Sequence, residues 1–196
     1  MMKTAAIVLA AGGGSRYKGN QFKLLEQIHG TSIVKISVQK MIMAGFSPVI
    51  VVIGSHSSEV RAEIGDLDIS LVENKNWLQG QSFSLKKGLE MMPDGCSGVC
   101  IALADMPFVK GETITQLDSF HHKFPDSIIV PTFQGKRGNP VIFPQCQIKK
   151  LFQAAHSDQG GRSLIGKEAT EWIEVNDQYI LKDIDTVEDY INLQVE

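Results

Sequence analysis

The chain has 196 residues, 43% hydrophobic and 21% charged, with a net charge of −3, which excludes a disordered, collagen-like or disulfide-scaffold protein and fits one domain over residues 1–196. A mildly acidic chain has no general attraction for nucleic acid or anionic membrane surfaces, and no apolar run approaches the roughly 20 residues of a membrane span, so neither is an expected partner. An anionic substrate would need a local cluster of cations.

In chain order, strands are predicted at 5–11, 48–53, 69–72, 98–103, 127–131, 140–143 and 172–175, and helices at 32–44, 57–64, 82–91, 112–122, 147–156 and 186–194. The apolar run at 4–11 is short for a signal peptide and ends in glycines rather than a cleavage site, so it reads as a buried first strand. The first, second and fourth strands are continuous apolar runs, the pattern of parallel strands covered on both faces. Thr186 followed by Asp189 is a capping box, and Gly45 ends the helix before it. The expected fold is α/β: a doubly wound, mostly parallel sheet with helices on both faces. Ligands of such sheets bind beyond the carboxyl ends of the strands, which points to the loops after Ala11, Ile53, Val72 and Leu103. Cys96, Cys100 and Cys146 fit neither a zinc site nor a redox pair, and read as reduced, mostly buried thiols of a cytoplasmic protein.

The first loop runs Leu9, Ala10, Ala11, Gly12, Gly13, Gly14, Ser15, Arg16, Tyr17, Lys18, Gly19, with Lys23 beyond it. A dinucleotide fingerprint would need glycine where Tyr17 stands, and a P-loop would need Lys and Ser or Thr where Asn20 and Gln21 stand. What remains is a backbone able to approach a ligand closely and turn N–H groups toward an anion, flanked by two cations. Such a loop suits a triphosphate. The fourth strand ends in Ala104-Asp105-Met106-Pro107. Pro107 cannot continue the ladder, so Asp105 projects from the strand tip, where one carboxylate with phosphate oxygens and waters suffices for Mg²⁺. Asp183 and Asp185 fall on one side of an extended segment, and either can be a second ligand or a plain cap.

These residues resemble a known family. Leu9-Ala10-Ala11-Gly12, Ser15-Arg16, Gly19 and Lys23-Leu24-Leu25 look like the opening motif of nucleotidyltransferases with the fold of the molybdenum-cofactor guanylyl- and cytidylyltransferases. Asn74, Trp77, Gly80, Ser84-Leu85 and Gly88 resemble the second motif of the cytidylyl branch. Ala104-Asp105-Met106-Pro107 matches its metal motif, and Arg137-Gly138-Asn139-Pro140-Val141 and Asp183-Ile184-Asp185-Thr186 match two later ones. Asn139 departs from the histidine frequent at its position, and Tyr17 from methionine.

The resemblance implies a Rossmann-like nucleotide-diphospho-sugar transferase fold. It implies transfer of CMP from CTP to the terminal phosphate of molybdopterin with release of pyrophosphate, Mg²⁺ as cofactor, and a molybdoenzyme as client. Leu9, Ala10, Ala11 and Gly12 would hold base and ribose, and Gly13, Gly14, Ser15, Arg16 and Lys23 the triphosphate. Asn74, Gln79 and Gly80 would lie near the base; Asp105 and Asp185 would bind the metal; Gly138, Asn139 and Pro140 would meet the acceptor. Arg16, Lys23 and Asp105 would carry catalysis. Gly160-Gly161-Arg162-Ser163 reads either as a helix start whose N-terminus, with Arg162, would bind the acceptor phosphate or as a plain turn. The alternatives are another phosphorylated acceptor (a sugar phosphate, phosphocholine or a polyol phosphate) and a non-catalytic molybdenum-cofactor carrier. His56 reads as a loop residue at the ligand edge, His121 and His122 as surface, and Trp77 as either a stacking ring or a loop anchor.

Overall fold

The computed structural model describes residues 2–155 and 160–195. Their strands are β1 (Ala5–Ala10), β2 (Gln27–Ile28), β3 (Thr31–Ser32), β4 (Val49–Ile53), β5 (Ser70–Glu73), β6 (Gly98–Leu103), β7 (Ile128–Phe133), β8 (Lys136–Arg137), β9 (Val141–Pro144) and β10 (Thr170–Glu174). Their α-helices are α1 (Ile33–Met43), α2 (Ser57–Ile64), α3 (Gln81–Glu90), α4 (Gly111–Lys123), α5 (Ile148–Ala154) and α6 (Val187–Val195). All the predicted strands and helices are present; the end predicted for α5, at His156, lies outside the described residues.

The main sheet has the order β10-β7-β9-β6-β1-β4-β5, with β8 paired to β7. β1 lies at its centre, parallel to β4 and β6, with Val8 opposite Val51 on one side and Ala102 on the other. β9 runs antiparallel to both β6 and β7, so the sheet is mostly, not wholly, parallel. All of β4 is buried, as its unbroken apolar sequence requires of a strand covered on both faces. Along β1 the side chains alternate between two cores. Ala6, Val8 and Ala10 meet the apolar faces of α1, α2 and α4, whereas Ala5 and Ile7 meet those of α3 and α5. On α3 a Cβ at Gly88 would stand 2.6 Å from Ile7 Cγ2, so glycine lets this helix lie close on the sheet.

The end signals work as expected. Asp189 N donates to Thr186 Oγ1 (3.1 Å) and Thr186 N donates to Asp189 Oδ2 (2.8 Å), closing the capping box at α6. Gly45, at φ +90°, ends α1. Two expectations are corrected. His121 is fully buried, on the α4 face that also carries Ile114 and Leu117. Gly160–Ser163 forms a short 3-10 turn rather than the start of an α-helix. Cys96 and Cys100 are buried, Cys146 is exposed, and all three are free thiols. Among the described residues no helix is long and apolar enough to cross a membrane.

Candidate active site

The loop after β1 is pinned from two sides. Trp77 packs over it, its ring atom Cζ3 standing 2.8 Å from where a Cβ on Gly13 would be, and its Cβ equally close to one on Gly54. Trp77 thus anchors the loops after β1 and β4. On the other side Tyr17 N donates to Gly14 O (2.9 Å), and the buried Tyr17 ring meets Tyr190 edge-on at 6.4 Å. Burial and the neighbouring Glu26 push its phenol upward, so it stays neutral. Between these anchors Gly12 is open, with nothing within 4 Å of a Cβ position, and Gly14 takes a left-handed φ of +60°.

The carboxylates come from two distant segments. Asp105 follows the tip of β6, and Ile184 N donates to its carbonyl (2.9 Å), drawing Asp183 and Asp185 alongside. Asp105, Asp183 and Asp185 each offer an oxygen within 4.8 Å of the others. Burial, then the charges of Asp185 and Asp105, raise the Asp183 carboxyl above its ordinary range. Such an all-oxygen donor set fits a hard divalent cation such as Mg²⁺ or Mn²⁺. Lys23 Nζ reaches Asp105 Oδ2 (2.7 Å), Ile184 O (2.7 Å) and Asp185 Oδ1 (3.4 Å), while Arg16 Nη1 pairs with Asp185 Oδ2 (2.7 Å).

These groups line a cleft of about 330 Å³ together with Leu9, Ala10, Gly12, Gly14, Ser15 and Arg162. A second cleft of about 320 Å³ adjoins it, walled by Leu85, Ile101, Val141, Phe143 and Ile165 and carrying Arg137, Gly138, Asn139 and Arg162. Leu9, Gln81, Leu103 and Arg162 line both, so the two are continuous. Among the described residues no carboxylate lines the second cleft, whereas three line the first.

The remaining sequence candidates lie off these clefts. Ala11 is buried against Gly54, and Pro140 is buried beside Lys40 and Met41. Asn74 is buried and ties the turn after β5 to α3: its amide donates to Ser84 Oγ (3.0 Å) and accepts from Asn76 N (3.0 Å). Gln79 and Gly80 are exposed in the turn before α3. His56 stacks on Phe22 at 4.4 Å and pairs with Glu59. Sequence reasoning missed Gln81; its place as the first residue of α3, just after Gly80, was the available signal.

The profile of the MobA-like NTP transferase domain matches residues 6–172. The chain belongs to that family. Among its relatives, the bifunctional protein GlmU of Clostridium botulinum (strain Loch Maree / Type A3) is 29% identical over 161 residues, 80% of this chain and 35% of that protein. The chain thus spans about a third of the length of such relatives. Rv0371c of Mycobacterium tuberculosis H37Rv has the same fold, with a TM-score of 0.86 at 24% identity, covering 100% of this chain and 99% of that one. It has also been solved as a complex with manganese. A nucleotidyl transferase from Methanothermobacter thermautotroptrophicus superposes with a TM-score of 0.84 at 20% identity, over 98% and 96% of the two chains. These folds bear out the Rossmann-like α/β sheet, and the family a chemistry of the nucleotidyltransferase type.

Proposed function

We propose that this protein is a Mg²⁺-dependent nucleotidyltransferase that moves the nucleotidyl group of a nucleoside triphosphate, CTP in the first instance, to the phosphate of a small acceptor. The observation that carries the reading is the pair of continuous clefts. One joins a glycine loop to three carboxylates; the other is apolar-walled and carries two arginines. The choice of CTP follows the resemblance, in which alanine at position 11 looks like the cytidylyl branch and the guanylyl branch usually has glycine.

The N–H groups of Gly12 to Ser15, with the open backbone at Gly12, would receive the triphosphate. Arg16, exposed and, among the described residues, in an ion pair with Asp185, can turn to phosphate oxygens. Asp105 and Asp185, with Asp183 beside them, would hold the metal. When bound, that ion would polarise the phosphates and offset their charge. Arg162, at the junction of the clefts, would hold the acceptor phosphate in line with the α-phosphorus. An acceptor oxygen then attacks that phosphorus, the bond to the bridging oxygen breaks, and pyrophosphate leaves with the electron pair. The acceptor phosphate is already anionic at neutral pH, so positioning and charge neutralisation suffice.

Among acceptors, a sugar phosphate, a polyol phosphate and phosphocholine stand with molybdopterin as the class to be tested; the arginines read the phosphate common to all of them. A carrier of molybdenum cofactor would have no use for the three carboxylates, and the metal site therefore favours catalysis.

The test is pyrophosphate release from CTP, GTP, ATP and UTP with Mg²⁺ across that acceptor panel, with Asp105→Ala as control. Release with one nucleotide and one acceptor, reduced about 10²–10³-fold in the variant, is expected. A variant keeping more than about a tenth of the activity, a loss below roughly 1.4 kcal/mol, would remove Asp105 from the metal role. Cofactor binding without release from any nucleotide would favour the carrier.

A further inference from the structure

Asp105 stands on a turn whose own hydrogen bonds are long. Met106 N to Leu103 O and Val109 N to Met106 O both measure 3.4 Å, and Pro107 has no N–H to offer. A void of about 10 Å³ lies beneath the turn, among Met41, Met106, Ile114 and Pro140, so packing does not close it from below. The turn is braced instead from α1. Ser37 and Lys40, three residues apart, share one face of that helix. Buried Ser37 Oγ donates to Ala104 O (2.8 Å). Lys40 Nζ donates to Val109 O (2.6 Å) and to Pro107 O, charge-assisted bonds that are stronger than neutral ones. The main chain on both sides of Asp105 therefore rests on two side chains that lie off both clefts.

We propose that Ser37 and Lys40 are positioning residues of the metal site: from α1 they hold the turn that aims Asp105 at Asp183 and Asp185. The proposal rests on reading those three carboxylates as a metal site and uses no step of the transfer reaction. Its sign separates it from simple electrostatics. Removing a cation from the neighbourhood would, by Coulomb's law, tighten the binding of a divalent ion. Removing a brace lets Asp105 drift from its partners and weakens that binding, as happens when a group that orients a metal ligand is lost. A role in stability alone would lower the melting temperature and leave the affinity of the folded protein where it was.

The experiment is a Mn²⁺ titration without nucleotide, followed by the paramagnetic resonance of free Mn²⁺ at a temperature where every variant is folded. Lys40→Met is expected to bind Mn²⁺ about tenfold more weakly than the native protein. Ser37→Ala, which loses one neutral hydrogen bond, is expected to bind it about threefold more weakly. Lys35→Met, on the same helix, removes the same charge from the surface pair with Asp66 and is expected to match the native protein. Amide exchange at Met106 and Val109 is expected to quicken in Lys40→Met while that of β6 stays native. Mn²⁺ affinity that is unchanged or tighter in Lys40→Met overturns the proposal, as does an equal loss in Lys35→Met or native exchange at both amides. Should Lys40→Met fail to fold, Ser37→Ala decides alone, and native affinity in that variant overturns the proposal. Native protein that takes up no Mn²⁺ overturns the metal reading on which the proposal stands. Absence of pyrophosphate release with every nucleotide, beside the expected Mn²⁺ losses, overturns the proposed function and leaves the role of Ser37 and Lys40 intact.

Discussion

Gly12 and Gly138 both line the clefts, and for different physical reasons. A Cβ on Gly138 would meet the carbonyl oxygen of Ile180 and stand 2.6 Å from its Cγ1, and that backbone cannot yield because Asn139 N donates to the same carbonyl (2.9 Å). Gly138→Ala is expected to cost about 1–3 kcal/mol through overpacking, and to lower the melting temperature by roughly 2–12 °C. Around Gly12 a Cβ meets nothing within 4 Å. Gly12→Ala is expected to stay within about 0.5 kcal/mol of native stability while weakening triphosphate binding, read by calorimetric titration, because the methyl would enter the cleft. Native-like binding by that variant would show that the ligand does not approach this backbone. The motif alone named both glycines without separating a packing role from a binding one. Asn74 makes the same point: its place in the second motif suggested the base, whereas its amide is taken up by Ser84 of α3 and the backbone of Asn76. Neighbours distant in sequence decide such roles, and one sequence does not state them.

Long elements were legible because each carries a period or an end signal, such as the unbroken apolar run of β4, the glycine after α1 and the capping box of α6. The pairs β2–β3 and β7–β8 were not, since two residues have no period, although His29 and Gly30, at φ +50° and +80°, form the left-handed two-residue turn that a His-Gly step allows. A more consequential link was also hidden. Lys110, at the start of α4, has no side-chain cap of its own. Asp177 supplies one from the C-terminal segment, accepting from Lys110 N (2.9 Å), Thr113 Oγ1 (2.8 Å) and Tyr179 N (3.0 Å) while only 1% exposed. The carboxylate therefore ties α4 to the segment that leads into Asp183 and Asp185. Asp177→Ala is expected to cost on the order of 2–4 kcal/mol by leaving donors unsatisfied in the interior. Hydrogen exchange would report it as faster exchange both at the start of α4 and at residues 178–186. Loss at α4 alone would show that the C-terminal segment is held by other contacts.

Across the whole molecule the candidate site draws on positions as far apart as Leu9 and Asp185, brought together because β1 and β6 are parallel neighbours with their carboxyl ends on one edge. That edge was legible from the doubly wound, mostly parallel sheet that the alternating elements imply. The antiparallel course of β9 was not, because alternation and burial carry no direction. The opposite end of the sheet holds a buried polar cluster that sequence adjacency to His122 and Lys123 disguised as surface. Helical spacing gave the better signal, since Ile114, Leu117 and His121 recur on one face of α4. His121 Nε2 lies 3.2 Å from Ser97 Oγ, Thr4 Oγ1 donates to Asp118 Oδ1 (2.6 Å), and His121 Nδ1 has no partner among the described residues. Burial, then the neighbouring His122, lowers the His121 pKa below its ordinary 6.5, with Asp118 and Ser97 opposing in part. In the folded protein this imidazole is therefore neutral where the unfolded chain would be protonated. Above pH 6.5 both states are neutral and His121 contributes nothing to the pH dependence. As pH falls below that value the unfolded chain takes up the proton first, and stability declines until the folded pKa is reached. The depressed carboxylates Asp189, Glu174 and Glu168 add their own loss only at lower pH, toward the ordinary carboxylate range of about 4. Urea unfolding across about pH 3–8 is expected to show native stability falling below about pH 6.5, and His121→Gln to flatten that limb while leaving the steeper acid limb in place. Parallel native and variant profiles would mean that His121 is protonated equally in both states, and would return the acid sensitivity to the carboxylates alone.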